Sequence, residues 1–211
     1  MSTDLASLRQ HLVERIAAST DLRDPRILQA FAAVPRHEFL SETQREIAYD
    51  DRAVPLDEGQ TVSQPSMIAI MLQELACEPG QRALEVGAGS GYAAAVLGQL
   101  VAQVYAIELR PALATRARAA LERSGVNNVH VIQGDGSRGL ADHAPYDRIL
   151  VSAAPTRIPD ALITQLAVGG RIAIPVGDER SQTLVVGHKT GPDDVTWERT
   201  VPCIFVPLVS A

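Results

Sequence analysis

Between Met67 and Ala167 short apolar runs of strand length alternate with helical stretches, and few folds accommodate that rhythm. Arg82–Val86, Gln103–Ile107, Val129–Ile132, Arg148–Ser152 and Arg171–Ile174 read as strands. Met67–Ala76, the Ala-rich Gly91–Val101, Pro111–Ser124 and Pro159–Ala167 read as helices. Pro111 suits a first helical position and Gly125 a stop. The pattern predicts a doubly wound α/β fold around a mostly parallel sheet. Farther on, Thr183–His188, Val195–Thr200 and Cys203–Leu208 are β-rich with no helix between them, which predicts an antiparallel edge. Ahead of the sheet, Leu5, Leu8, Leu12, Val13 and Ile16 recur at helical spacing, and Pro25–Val34 reads as a second helix with Asp24 as its N-cap. From Arg36 to Pro65 there is no long apolar period. A short helix and then an irregular loop over the main domain are expected there, and loops of that length are usually functional. Residues 1–65 are thus expected to pack as helices and a covering loop on a main domain of residues 66–211, in one compact unit.

Composition narrows the partners. With 46% apolar and 21% charged residues the chain has the make-up of an ordinary globular protein. Its net charge of −6, with no Lys/Arg run, argues against binding nucleic acid through bulk charge. Cys77 and Cys203 are expected to be reduced thiols, and the five histidines show no paired metal-ligand spacing, so no metal is expected. No apolar run has the length of a membrane span and the first residues lack the form of a signal peptide, so a cytoplasmic location is expected.

The chemistry concentrates at Leu84-Glu85-Val86-Gly87-Ala88-Gly89-Ser90-Gly91, where a strand hands over to a helix. Glycines there let the backbone turn sharply and let a ligand approach, and the helix N-terminus favours an anion. A tight structural turn explains such a run equally well on its own. Two further residues shift the balance. Glu108 ends the next strand, seventeen residues after Gly91, where a carboxylate can hold ribose hydroxyls; Asp135, between Gly134 and Gly136, follows the third strand. All three features fall at strand ends, where open α/β sheets bind ligands. The dinucleotide fingerprint would place its last glycine at position 92, which is Tyr92, and no Lys-Ser/Thr phosphate loop is present. Glu85 would repel a pyrophosphate and could face an ammonium group. S-adenosylmethionine, with an amino-acid end, a ribose, an adenine and no phosphate, fits better than NAD.

The chain resembles the protein-L-isoaspartate O-methyltransferases, bacterial members above all, from about Pro25 to Val209. The most specific block is Gly59-Gln60-Thr61-Val62-Ser63-Gln64-Pro65. Others are Ala32-Ala33-Val34-Pro35-Arg36, Gly134-Asp135-Gly136, Ala144-Pro145-Tyr146-Asp147, Gly169-Gly170, Pro175-Val176-Gly177 and Phe205-Val206-Pro207-Leu208. The resemblance implies a Rossmann-like methyltransferase fold and methyl transfer from S-adenosylmethionine, leaving S-adenosylhomocysteine. The acceptor would be the free α-carboxylate of L-isoaspartyl or D-aspartyl residues in damaged proteins. The ester would then collapse to a succinimide that reopens partly as normal aspartate.

By the same resemblance Ser63 is the active-site serine, and Gln60, Thr61 and Val62 close over the cofactor. Gly87 and its neighbours hold the methionine end. Glu108 and Leu109 contact ribose and adenine, Asp135 and Gly136 the adenine, and Val206, Pro207 and Leu208 present backbone to the substrate peptide. Ser66, Ser137, Arg138 and Ser152 depart from residues familiar in the family and are expected to line the cleft, where they bear on substrate preference. The acceptor carboxylate is already ionised at neutral pH, so no general base is needed and Ser63 would act as a hydrogen-bond donor. A monomer is expected. A methyltransferase acting on a small molecule is the alternative reading.

Overall fold

The computed structural model describes residues 4–210. Two N-terminal helices come first, α1 (Leu5–Ser19) and α2 (Pro25–Ala33). The Asp4 carboxylate accepts from the N–H groups of Ala6 and Ser7, and Asp24 accepts from that of Arg26 with Pro25 in the first turn. Each cap satisfies donors that the helix start leaves open. Leu12 and Ile16, one turn apart, are buried on the inner side of α1. Burying each such side chain contributes about 1.5–3 kcal/mol.

Residues 36–62 contain more regular structure than their sequence suggests. Two 3₁₀ turns, Arg36–Phe39 and Glu42–Ile47, precede a small antiparallel hairpin of β1 (Val54–Pro55) and β2 (Thr61–Val62), with a third turn at Asp57–Gly59 between the two strands. Strands of two residues are too short to show a period of two, so sequence patterning misses them.

The main sheet has the order β5-β4-β3-β6-β7-β8-β9. Its strands are β3 (Arg82–Val86), β4 (Gln103–Glu108), β5 (Val129–Gln133), β6 (Tyr146–Val151), β7 (Leu166–Gly177), β8 (Gln182–Lys189) and β9 (Val195–Cys203). The first five run parallel, whereas β8 is antiparallel to β7 and β9 to β8. The expected doubly wound sheet with an antiparallel edge is therefore present. The helices joined to it are α3 (Pro65–Leu75), α4 (Tyr92–Gly98), α5 (Pro111–Arg123) and α6 (Asp160–Gln165). Alternate strand residues face opposite layers. Ala83, Val104 and Ala106 join the buried residues of α1 to α5 in one cluster; Leu84, Val86, Ile107 and Ile149 join Leu162 of α6 in the other.

Two expectations differ in extent. The strand expected at Arg171–Ile174 is the twelve-residue β7, and the preceding helix is correspondingly shorter. The tail strand expected over Cys203–Leu208 does not form. Instead β9 extends to Cys203, and the chain then turns so that Val206 C=O accepts from Ala154 N–H (2.8 Å) and Leu208 N–H donates to Ala154 C=O (2.9 Å). Pro202 and Pro207 bracket this departure, and proline has no N–H to give a ladder. Beside them the Gln182 side chain replaces a missing strand, bonding the Phe205 N–H (2.7 Å) and C=O (3.0 Å).

The chain winds from β3 outward to β4 and β5 and then returns to β6 on the other side of β3. A crevice opens at such a reversal, beyond the carboxyl ends of the strands. The glycine loop after β3, Glu108 at the end of β4 and Ser152 after β6 all border it.

Candidate active site

Gly89 adopts a left-handed φ of +53°, and its N–H donates to Glu108 Oε2 at 2.8 Å. In a phosphate-binding loop that N–H would point at an anionic ligand; here a carboxylate of the chain takes its place. Glu108 Oε1 accepts from Arg110 N–H (2.9 Å), so the carboxylate is fixed by backbone on both oxygens. Each oxygen keeps a second lone pair for a hydroxyl donor. At Gly136 a Cβ would stand 2.5 Å from Val86 Cγ1, which explains the glycine there by close packing.

Glu85 is buried on β3, on the side of the sheet that faces α4. Ser152 Oγ donates to its Oε1 at 2.9 Å, while its Oε2 has no partner. Burial pushes its carboxyl up to about 8; the Ser152 hydrogen bond opposes this and the charge of Glu108 adds to it. An unpaired buried carboxylate oxygen is costly to leave bare, and an ammonium group would complete it. The residues around the crevice therefore suit S-adenosylmethionine: a cation acceptor at Glu85, a diol acceptor at Glu108 and, among the described residues, one lining cation, Arg110, whose charge is already paired with Glu58.

Two adjoining narrow cavities make up this crevice, sharing Thr61, Gly87, Gly89 and Ser152. Glu85, Val62 and Ser63 line one; Gln60, Glu108, Leu109, Gly136 and Val206–Val209 line the other. Gly91 stands behind them as the N-cap of α4, and Asp135 is turned toward Ser137, accepting from its N–H (2.9 Å) and Oγ (2.6 Å). The β1–β2 hairpin forms the roof. Leu56 Cδ1 lies 3.6 Å from where a Cβ on Gly89 would be, and the hairpin tip is tied down by Asp57–Arg116 (2.7 Å) and Glu58–Arg110 (2.8 Å) ion pairs.

Ser63 borders both the cofactor-side cavity and a separate open cleft of about 640 Å³ that Met67, Arg180, Gln182 and Pro202–Phe205 also line. Its hydroxyl has no hydrogen-bond partner among the described residues. A capping role at α3 does not account for it, because Asp51 Oδ1 takes the Ser66 N–H (2.8 Å) and Gln64 supplies no side-chain cap.

Of the four positions expected to line the cleft, only Ser152 borders these cavities, and its hydroxyl serves Glu85 as a threonine's would. Ser66 is buried in the first turn of α3, Ser137 is engaged with Asp135, and Arg138 is exposed. The hydrogen-bonding groups of Val206 and Leu208 that pair with Ala154 are already used; Pro207 C=O lies between them on the opposite edge. Asp51, Arg36 and Gln182 support the site without any local sequence signal for doing so. Their partners lie fifteen to twenty-seven positions away.

A family model for protein-L-isoaspartate(D-aspartate) O-methyltransferase matches residues 7–211. The chain is 47% identical over 209 residues to "Protein-L-isoaspartate O-methyltransferase 1" of Rhodopseudomonas palustris (strain HaA2), covering 99% of this chain and 85% of that one. A solved structure titled protein-L-isoaspartate O-methyltransferase superposes with a TM-score of 0.85 at 29% identity, over 94% of this chain and 65% of that one. Another, a putative member from Plasmodium falciparum in complex with S-adenosyl-L-homocysteine, gives 0.84 at 24% identity and covers 95% and 98%, which shows the shared fold. The chain belongs to the protein-L-isoaspartate(D-aspartate) O-methyltransferase family.

Proposed function

We propose that this chain transfers the methyl group of S-adenosylmethionine to the free α-carboxylate of L-isoaspartyl, and D-aspartyl, residues in damaged proteins and so initiates their repair. One observation carries the reading: Ser63, its hydroxyl unengaged, stands where the narrow crevice with an unpaired Glu85 oxygen meets an open cleft able to take a peptide.

When bound, S-adenosylmethionine supplies an electrophilic methyl carbon on its sulfonium. The residues of the chain do the rest by placement. Glu85 would receive the ammonium end, the glycine loop would let the ligand lie close to backbone, and Glu108 would accept from the ribose. Leu109 and Gly136 would border the adenine, with Asp135 beside Gly136 holding that turn through Ser137. The Ser63 hydroxyl donates to one oxygen of the acceptor carboxylate, leaving the other free to attack in line. No proton needs removing, because an α-carboxyl is ionised near neutrality. The β1–β2 hairpin, which lines both cavities, would shield the sulfonium from water. Orientation of this kind can lower a barrier by at most about 7–11 kcal/mol.

The open cleft and the outward backbone edge at Pro207 favour an extended peptide over a small molecule. Two free cysteines suit a reducing, cytoplasmic setting. The test is methyl transfer to an isoaspartyl peptide and to its aspartyl twin. Transfer to the first alone is expected; equal transfer to both, or to neither, would sink the reading.

A further inference from the structure

Arg36 is fully buried, yet no carboxylate lies within ion-pair distance of it among the described residues. A buried charge without a partner ordinarily weighs against the native state. The surroundings say what holds it. Its guanidinium carbon sits 4.7 Å above the centre of the Tyr92 ring, at the start of α4, and one terminal nitrogen points at two backbone carbonyls, those of Ser63 (3.1 Å) and Arg52 (3.4 Å). Nε and the other terminal nitrogen have no protein partner.

The two carbonyls are not arbitrary. Residues 53–62 leave the body of the protein after Arg52, run through the β1–β2 hairpin over the crevice and return at Ser63. Arg52 and Ser63 are thus the two sides of the hairpin's neck. Asp51, next to the same neck, holds the first turn of α3 through the Ser66 N–H and the Gln64 amide. Between them Arg36 and Asp51 fix the backbone on either side of Ser63 while leaving its hydroxyl untouched.

We propose that Arg36 is a positioning residue for methyl transfer: by tying the Ser63 carbonyl to that of Arg52 it aims the Ser63 hydroxyl at the acceptor. This rests on the proposed role of Ser63. A lysine keeps the charge but offers a single point donor on a flexible stem, unable to lie flat on Tyr92 and reach the neck in the same way.

The measurement is a double-mutant cycle of Arg36→Lys and Ser63→Ala, read as kcat and peptide KM, with S-adenosylhomocysteine affinity followed by calorimetry. Arg36→Lys alone should lower kcat at least tenfold, change peptide KM less than threefold and leave ligand affinity within about threefold. In the Ser63→Ala background the same change should lower kcat less than twofold, because the hydroxyl it aims is gone. Effects that multiply, or an Arg36→Lys enzyme with wild-type kcat, would overturn the proposal. Wild-type turnover by Ser63→Ala alone would instead remove the role of Ser63 itself. Amide hydrogen exchange separates positioning from general destabilisation: faster exchange in Arg36→Lys confined to residues 52–64 supports the proposal, and faster exchange throughout α4 and the sheet overturns it.

Discussion

Two side chains carry most of the proposed chemistry, and each can be tested alone. Ser63→Ala removes one hydrogen bond to a charged group, worth about 1.5–3 kcal/mol, so kcat should fall by roughly one to two orders of magnitude with S-adenosylhomocysteine binding kept. Radiolabel transfer at the wild-type rate would strip Ser63 of its role. Glu85 makes a claim about pH. Burial raises its carboxyl from an ordinary 4.5 to about 8. A group raised in the folded state favours that state most below its ordinary value, and the advantage is lost as pH climbs to 8. The ligand's ammonium needs the ionised form, so affinity for S-adenosylhomocysteine should rise on the order of tenfold between pH 6.5 and 8.5. Glu85→Gln should bind weakly with no such slope. A wild-type profile flat over that range would mean that Glu85 is ionised before the ligand arrives.

Two short elements decide access. The hairpin tip is tied down by the Glu58–Arg110 and Asp57–Arg116 pairs, both partly solvent-exposed and worth roughly 0.2–1 kcal/mol each. A Glu58→Lys substitution sets like charges against each other, and stopped-flow displacement should show cofactor release several-fold faster with kcat little changed. Unaltered release at low and high salt alike would show that the roof is held by Leu56 and backbone alone. The tail beyond β9 depends on Gln182, whose buried amide bonds both polar groups of Phe205. In Gln182→Ala those groups lose their partner, at a cost of about 2 kcal/mol. We expect a thermal midpoint lower by roughly 4–8 °C and a raised peptide KM, with cofactor affinity nearly unchanged. If peptide KM stays at the wild-type value, the 205–208 segment does not hold the substrate.

For the whole molecule the cofactor crevice is also a source of stability. It joins residues from the hairpin, the ends of β3 and β4, the loop after β6 and the tail, so a ligand there adds contacts to all of them at once. S-adenosylhomocysteine at one hundred times its Kd should stabilise the protein by about 2.7 kcal/mol, raising the thermal midpoint by roughly 5–10 °C. NADH at the same concentration should leave the midpoint in place; a shift with NADH would contradict the absence of a phosphate clamp at the glycine loop.

The sequence alone determined what depends on neighbours along the chain. Strand and helix alternate in the order their periods announce; Asp24 caps α2 as its type and place require; the glycine loop and Asp135 follow their strands, and Glu108 ends its own. These are local properties of backbone freedom, capping and side-chain period. Tertiary structure decided whatever required distant residues to meet. The tail abandons its expected strand because Gln182 and Ala154 offer better partners than a next strand could, with Pro207 lacking an N–H to give a ladder. The Ser63 hydroxyl is left free because Asp51, from another turn of chain, takes the helix donor that a serine is able to cap. A hydrogen bond to a residue far along the chain leaves no periodic trace in the sequence, and only the fold shows which two groups come within reach.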